Sequence, residues 1–268
     1  MKDESSELLE IARRAAVSAA EIHRYAIESG NFHIDTKAST SDLVTEVDRE
    51  SERAIVAAIR ASRPNDEIVG EEGSNYSGDS GVRWILDPLD GTTNFIHRYP
   101  GHSVAIGIEV DGRRAIGVVH DTFNDRVYCG VVGNGATCDG RPIRVRGESV
   151  LSNALVGTGF LPDSAVRRIQ ADVLGQILPR VRDIRRSGCP SLDICCVASG
   201  ALDAFYESGL GIWDIGAASA IAEAAGATVH ILDSALLPNP LVVVVNAELS
   251  EALVSALTEA GALQRRAT

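Results

Sequence analysis

Asp87 and Asp90 close an apolar run in Trp84-Ile85-Leu86-Asp87-Pro88-Leu89-Asp90-Gly91-Thr92-Thr93-Asn94-Phe95. Carboxylates at a strand end are natural ligands for a hard cation such as magnesium. Pro88 stiffens the link between them. The Gly91-Thr92-Thr93-Asn94 run reads as the start of a helix, where backbone N–H groups without intrahelical acceptors suit a phosphate. Cation ligands and an anion cradle therefore share one short segment. An Asp-Pro turn followed by an Asp-Gly turn is the bland alternative. The apolar strand before the pair and the Gly-Thr-Thr after it favour the site.

Three further segments have the same character. Ile68-Val69-Gly70-Glu71-Glu72-Gly73 ends a second short apolar strand in two carboxylates, with glycines that permit close backbone approach. Trp213-Asp214 precedes Ile215-Gly216-Ala217-Ala218-Ser219-Ala220, so Asp214 is expected to N-cap a helix that is apolar on every side and therefore buried. Asp42-Leu43-Val44-Thr45-Glu46-Val47-Asp48 leads into an amphipathic stretch that Asp48 is expected to cap. A capping role alone would explain Asp48 and Asp214; only the company of the other segments argues for more.

The elements that must position these groups are legible from periodicity. Leu8, Ile11, Ala12, Ala15, Ala19, Ile22, Ala26 and Ile27 predict a helix over 5–29, stopped by Gly30. Residues 31–41 read as a loop, and a second helix runs from Asp48 through Ser62. Short strands are predicted at 67–70, 84–87, 104–110, 115–120 and 126–131, with Asp111-Gly112 as a hairpin turn. Asn124-Asp125 makes a second turn, and Gly133, Gly135 and Gly140 mark a turn region before 142–145. The rest alternates strand and helix: strands at 154–158, 183–186, 204–207, 228–232 and 241–245, helices at 164–178, 191–199, 214–225 and 247–262. The Val242–Val245 run suits a strand covered on both faces. No linker divides the 268 residues, so one domain over 1–268 is expected, with sub-halves at about 1–147 and 148–268.

Lys plus Arg number 25 against 37 Asp plus Glu, a net charge of −12. Such a chain should repel bulk nucleic acid and anionic membrane. The densest basic stretch, Arg180 to Arg186, mixes its arginines with Asp183 and apolar residues. Five cysteines, two of them adjacent and none in a CxxC, form neither a disulfide framework nor a zinc site, which predicts free thiols in the cytoplasm. The acidic start is unlike a signal peptide, and no apolar stretch is long enough for a transmembrane helix. Neither a membrane nor a nucleic-acid partner is expected.

Together, Gly70-Glu71-Glu72, the Asp87–Phe95 segment and Trp213-Asp214 resemble the motifs of the inositol monophosphatase family of magnesium-dependent phosphatases, in that family's order, from about Lys37 to Val245. The resemblance implies an α/β fold of mixed type, a layered αβαβα sandwich. By position it implies a first metal on Glu71, Asp87 and the Leu89 carbonyl, a second on Asp87, Asp90 and Asp214, and a weaker third that Glu71 helps hold. Gly91 and Thr92 match the phosphate cradle. Thr92 with Asp48, and Glu72 nearby, match groups that orient and deprotonate the attacking water. Glu207 matches a contact to substrate hydroxyls, as do Asp90 and Asp214, with Gly188 and Cys189 in the adjoining segment. Lys37 stands where the family has a basic residue on a mobile loop. The implied first half, to about residue 147, carries the metal and phosphate motifs, and the second the substrate contacts.

The physics supports the arrangement, because a phosphate monoester dianion would be repelled by clustered carboxylates unless two or three magnesium ions reversed the local charge. Two departures stand out. Gly188-Cys189-Pro190 replaces a Gly-Thr-Ala-like segment, and Pro190 has no N–H to offer a sugar hydroxyl. Gly216 replaces a residue with a β-carbon near the helix start, a loss of about 1 kcal/mol relative to Ala. His97 reads as a histidine packed near a helix end. The expected function is hydrolysis of inositol 1-phosphate by a homodimeric, lithium-sensitive enzyme. The alternatives are phosphatases for another sugar phosphate, histidinol phosphate or a nucleotide 3′-phosphate, or a module that binds the transcription machinery.

Overall fold

The structure is a computed structural model that describes residues 2–30, 33–36, 43–234 and 240–263. In chain order the first half runs α1 (Lys2–Ser29), β1 (Ile34–Thr36), β2 (Leu43–Thr45), α2 (Glu46–Ser62), β3 (Glu67–Gly70), β4 (Asn75–Tyr76), β5 (Val82–Asp90), α3 (Thr92–Ile96), β6 (Ser103–Val110), β7 (Arg113–Asp121), β8 (Arg126–Val131), β9 (Gly135–Cys138) and β10 (Arg141–Ile143). The second runs β11 (Leu155–Thr158), α4 (Ser164–Ile177), β12 (Asp183–Arg185), α5 (Pro190–Ala198), β13 (Ala204–Ser208), α6 (Ile212–Ala224), β14 (Ala227–Leu232), β15 (Leu241–Asn246) and α7 (Ala247–Glu259).

An eight-stranded sheet has the order β10-β9-β8-β7-β6-β5-β3-β4, and a five-stranded sheet the order β12-β11-β13-β15-β14. Helices α1 and α2 cover one face of the larger sheet, their apolar stripes burying Leu8, Ile11, Ile55 and Ile59 against Trp84, Ile106 and Ile116. Helices α5 and α6 fill the space between the two sheets. Helices α4 and α7 close the far face of the smaller one, around Val243, Val245, Leu249 and Leu253. The result is the expected αβαβα sandwich. Among the described residues no helix is long and apolar enough to cross a membrane.

The central helix sits unusually close to the larger sheet, and glycines explain why. Gly107 pairs with Gly117 across β6–β7, and Gly117 with Gly130 across β7–β8. They make a transverse row with no side chains. A Cβ at Gly107 would lie 2.8 Å from the Ala217 nitrogen, one at Gly117 would collide with the Ala217 carbonyl, and one at Gly130 would lie 2.5 Å from the Ile221 Cα. Helix α6 therefore rests backbone on backbone over the sheet, which brings its N-terminal turn close to the end of β5.

Several boundaries differ from the sequence reading. Residues 34–36, expected in a loop, pair antiparallel with 43–45. The Gly135 turn region contains β9, whose pairing with β8 and β10 outweighs its weak local pattern. Helix α1 starts at Lys2, and β5 runs through both aspartates to Asp90. Helix α5 starts at Pro190, which suits the first helical position because its missing N–H has no intrahelical acceptor there.

Candidate active site

Strand β5 runs parallel to β3, with Gly70 opposite Leu86. The Glu71 N–H donates to the Leu86 carbonyl at 3.1 Å, so Glu71 arrives beside Asp87. On the other side β5 pairs with β6, and its register shifts between Asp87 and Asp90. That bulge throws Pro88-Leu89 out of the ladder and turns both aspartates to one place. The Leu89 side chain anchors it by packing with Ala26, Val47 and Phe95.

Carboxylate oxygens of Asp87, Asp90 and Asp214 all lie within 4.8 Å of one another. Burial comes first, then Glu71, Asp90 and Asp214, in pushing the Asp87 carboxyl well above its usual range. Asp87 Oδ1 accepts from the Leu89 N–H at 3.1 Å, while Oδ2 is buried with no donor among the described residues; its polar neighbour is the Glu71 carboxyl. An orphaned carboxylate oxygen inside a ring of carboxylates asks for a cation. The donors are all hard oxygens, which suits magnesium.

Asp90 is raised by burial, opposed by the bonds it accepts. Its Oδ2 takes the Ser191 N–H at 2.8 Å, the Ser191 hydroxyl at 2.5 Å and the Cys189 thiol at 3.0 Å. Cys189, expected near the substrate, is thus fully buried against the Asp90 carboxylate. Gly188 lies in the left-handed region with φ +90°, and Asn94 staples this loop by donating to Ser187 at 2.9 Å and Gly101 at 2.7 Å.

Gly91 has φ +86°, and a Cβ there would lie 2.7 Å from the Gly101 carbonyl, so glycine is required twice over before α3 begins. The Thr92 hydroxyl faces Asp48 Oδ1 at 3.2 Å and the Leu89 carbonyl at 3.1 Å. Asp48 is held from behind by the Thr45 N–H at 2.8 Å and hydroxyl at 2.5 Å. Neither Asp48 nor Asp214 is the N-cap the sequence suggested. Thr45 caps α2 and Gly211 caps α6, and each aspartate sits one turn inside and accepts the cap residue's N–H. The capping box accounts for the difference, because an acid at the third helical position accepts the N-cap residue's N–H while the N-cap side chain serves the N–H groups of the first turn, so both mark the same helix start.

Glu207, buried on β13, has its pKa raised to about 8, by burial first and then by Asp214. The Gly159 backbone approaches its carboxylate where no side chain would fit. Glu72 has its backbone fixed by Glu52 and lines an open groove with Arg49, Arg53 and Tyr76. His97 is exposed at the end of α3 and is not packed as expected, because α3 ends there and the chain turns out to solvent. Lys37 and Asp42 lie outside the described residues.

Two positions that sequence reasoning passed over matter here. Glu52 accepts the Glu72 N–H at 2.8 Å and the Ser74 N–H at 2.9 Å, and so shapes the turn that carries Glu71. Its signal was present: an acid four residues after Asp48, on the stripe of α2 that faces the core. Asp193 is buried beside the Ser187–Pro190 loop, its pKa raised to about 7 by burial.

Comparison with known proteins agrees with this geometry. Residues 4–262 match the profile described as the Inositol monophosphatase family. The chain is 41% identical over 209 residues to an inositol-1-monophosphatase of Mycobacterium bovis, covering 75% of this chain and 72% of that one. It is 37% identical over 224 residues to the Nus factor SuhB of Pasteurella multocida, covering 83% and 84%. The solved inositol monophosphatase of Anabaena superposes with a TM-score of 0.82 at 31% identity, covering 95% of this chain and 96% of that one.

Proposed function

The chain belongs to the inositol monophosphatase family, and from that premise we propose that it is a magnesium-dependent phosphomonoesterase whose substrate is inositol 1-phosphate. The observation that carries the reading is the convergence of the Asp87, Asp90 and Asp214 carboxylates within 4.8 Å, with Asp87 Oδ2 buried and without a hydrogen-bond donor among the described residues. Glu71, Asp87, Asp90, Asp214 and the Leu89 carbonyl would hold the magnesium ions. When bound, magnesium neutralises these carboxylates, activates water and stabilises the leaving oxygen.

The chain's own residues then do the rest. Thr92, hydrogen-bonded to Asp48, orients the attacking water through its hydroxyl oxygen and passes a proton toward the Asp48 carboxylate. The first turn of α3, opened by Gly91, offers N–H groups to the phosphate. Glu207 accepts from a hydroxyl of the alcohol. The thiol and hydroxyl donors on Asp90 keep that carboxylate from rotating away. Glu72 stands farther out, as a secondary influence on the water. The homodimer and the cytoplasmic setting belong to the same reading.

The test is phosphate release over a panel containing inositol 1-phosphate, other sugar phosphates, histidinol phosphate and nucleotide 3′-phosphates, with magnesium and with chelator. Hydrolysis that survives chelation would sink the metal assignment. Asp90→Asn should keep the fold and lower kcat by orders of magnitude, with circular dichroism as the control. Lithium should inhibit the magnesium-active enzyme. A folded protein that hydrolyses nothing in the panel would leave the transcription-machinery module as the better account.

A further inference from the structure

Behind the metal loop lie three buried side chains that the reaction does not use. His23, from α1, places Nε2 at 3.0 Å from the Pro88 carbonyl and Nδ1 at 3.3 Å from the Thr122 hydroxyl. Thr122 follows β7, and its oxygen lies 2.6 Å from Nδ1 of His102, just before β6. His23 and His102 are 0% and 1% exposed, and both rings pack edge-on against Phe95.

The chemistry of these partners points to one tautomer for each ring. A carbonyl only accepts, so His23 carries its proton on Nε2. Burial, as the first cause, holds the His23 pKa near 3 and the His102 pKa near 4, so both rings are neutral at pH 7. His23 Nδ1 is then a lone pair, and the donor facing it is the Thr122 hydroxyl. That hydroxyl has one hydrogen, for which the His102 carbonyl at 3.2 Å competes. The carbonyl already accepts the Thr122 N–H at 3.1 Å. With its hydrogen aimed at His23, the Thr122 oxygen accepts from His102 Nδ1–H. His102 Nε2 is left as a lone pair, and it is indeed buried without a partner among the described residues. The opposite assignment would bury an orphaned N–H at Nε2, a rarer and costlier defect than a bare lone pair.

The relay ends on one peptide plane. The Pro88 carbonyl takes the His23 hydrogen, and the Leu89 N–H of the same peptide donates to Asp87 Oδ1. Held at both ends, that plane turns Asp87 so that Oδ1 is satisfied by the backbone and Oδ2 is left buried with no donor among the described residues. We propose that His23 is a positioning residue for Asp87 and the Leu89 carbonyl, locked in the Nε2–H tautomer by Thr122 and His102. The inference rests on the metal reading for its consequence but not for its geometry.

Two measurements on the full chain test it. In long-range nitrogen–proton spectra of protein with 15N-labelled histidine, His23 should appear as the Nε2–H tautomer and His102 as the Nδ1–H tautomer. The reverse tautomer at either ring overturns the relay. In magnesium titrations followed by melting temperature, His23→Leu should raise the concentration for half-maximal shift about tenfold, the usual size of an outer partner's effect. His23→Gln, which can still donate to the carbonyl, should stay closer to wild type. A merely structural role would lower the metal-free melting temperature of both variants and leave the midpoint unmoved; an unmoved midpoint in folded His23→Leu overturns the proposal. If His23→Leu does not fold, Thr122→Val should shift the midpoint in the same direction by less, because it keeps the His23–Pro88 bond and removes only the hydroxyl that steadies the ring, and an unmoved midpoint there overturns the proposal. A wild-type protein that ignores magnesium would refute the metal reading, and with it the positioning role, while the spectra still decide the relay.

Discussion

Asp90 commits one of its two oxygens to Ser191 and Cys189, and this bears on specificity. With Oδ2 occupied by Ser191 and Cys189, little acceptor capacity remains there for a substrate hydroxyl. On the proposed reading, recognition of the alcohol would then lean on Glu207 and on what the Gly188–Pro190 segment can offer. Pro190 opens α5 without an N–H, so one neutral hydrogen bond is absent, a difference of about 0.5–1.5 kcal/mol and at most roughly tenfold. Pro190→Ala, at a position where an N–H has no intrahelical acceptor, should raise kcat/KM for inositol 1-phosphate relative to a simple alkyl phosphate by up to that factor. An unchanged ratio would show that the segment does not read the sugar. Glu207→Gln should alter the ranking of alcohols more than turnover of an aryl phosphate, which has no polyol to recognise. The acids of the site were legible because Glu71, Asp87, Asp90 and Asp214 each sit in a distinctive local segment. Their supporting groups were not. His23 serves a carbonyl 65 residues away and Ser191 a carboxylate 101 residues away, and such partnerships leave no pattern in a local window.

Among the elements, α6 decides whether Asp214 reaches the other aspartates, and the glycine row under it decides where α6 lies. Gly117→Ala would drive a methyl into the Ala217 carbonyl. Backbone cannot swing aside as a side chain can, so the cost should be at the upper end of overpacking, about 3 kcal/mol. The helix should also ride outward, and the magnesium midpoint should rise with it. Gly216→Ala is the contrast. Its Cβ would meet Ile85 Cγ2 at 3.3 Å, a side chain able to give slightly, while the helix gains about 1 kcal/mol of propensity. Urea unfolding should find Gly117→Ala strongly destabilised and Gly216→Ala within about 1 kcal/mol of wild type. Equal losses would mean the row does not set the helix height. Most elements followed from periodicity, since amphipathic helices and β-rich runs declare themselves locally. The glycine row did not, because Gly107, Gly117 and Gly130 align only once the strand register is known. The β1–β2 pair and β9 escaped for the same reason: each is stabilised by its partner strand more than by its own residues.

For the molecule as a whole, two opposed sets of buried titrating groups set the response to pH. His23 and His102 have folded pKa values near 3 and 4 against an ordinary 6.5. The unfolded chain therefore binds protons first, and the stability these rings contribute is present above pH 6.5 and lost as pH falls through that window, by about 2 kcal/mol per ring at pH 5. Glu207 and Asp193 behave oppositely, with folded values of about 8 and 7 against ordinary values of 4.5 and 3.8. The unfolded chain ionises first, so their contribution is present at low pH and lost as pH rises toward 7 and 8. Asp87 and Asp90, both raised by burial, add to the alkaline loss. Between about pH 4.5 and 6.5 the histidine slope offsets that of Glu207 and Asp193, so Asp87 and Asp90 tip the balance and the metal-free protein should be most stable at the acid end of that window. From pH 6 to pH 8 Glu207 and Asp193 alone should remove about 4 kcal/mol, seen as a fall of several degrees in melting temperature. Magnesium should reverse this. It compensates the carboxylates that crowd a chain of net charge −12, and it binds best where no proton must first be displaced. The magnesium-induced rise in melting temperature should therefore be larger at pH 8 than at pH 6. Calorimetry at both pH values, with chelator and with millimolar magnesium, gives the comparison directly. A metal-free melting temperature that does not change from pH 6 to pH 8, together with a magnesium shift independent of pH, would mean that the buried carboxyls are already ionised without metal. The crowding of charge that makes this site a cation trap would then be wrong.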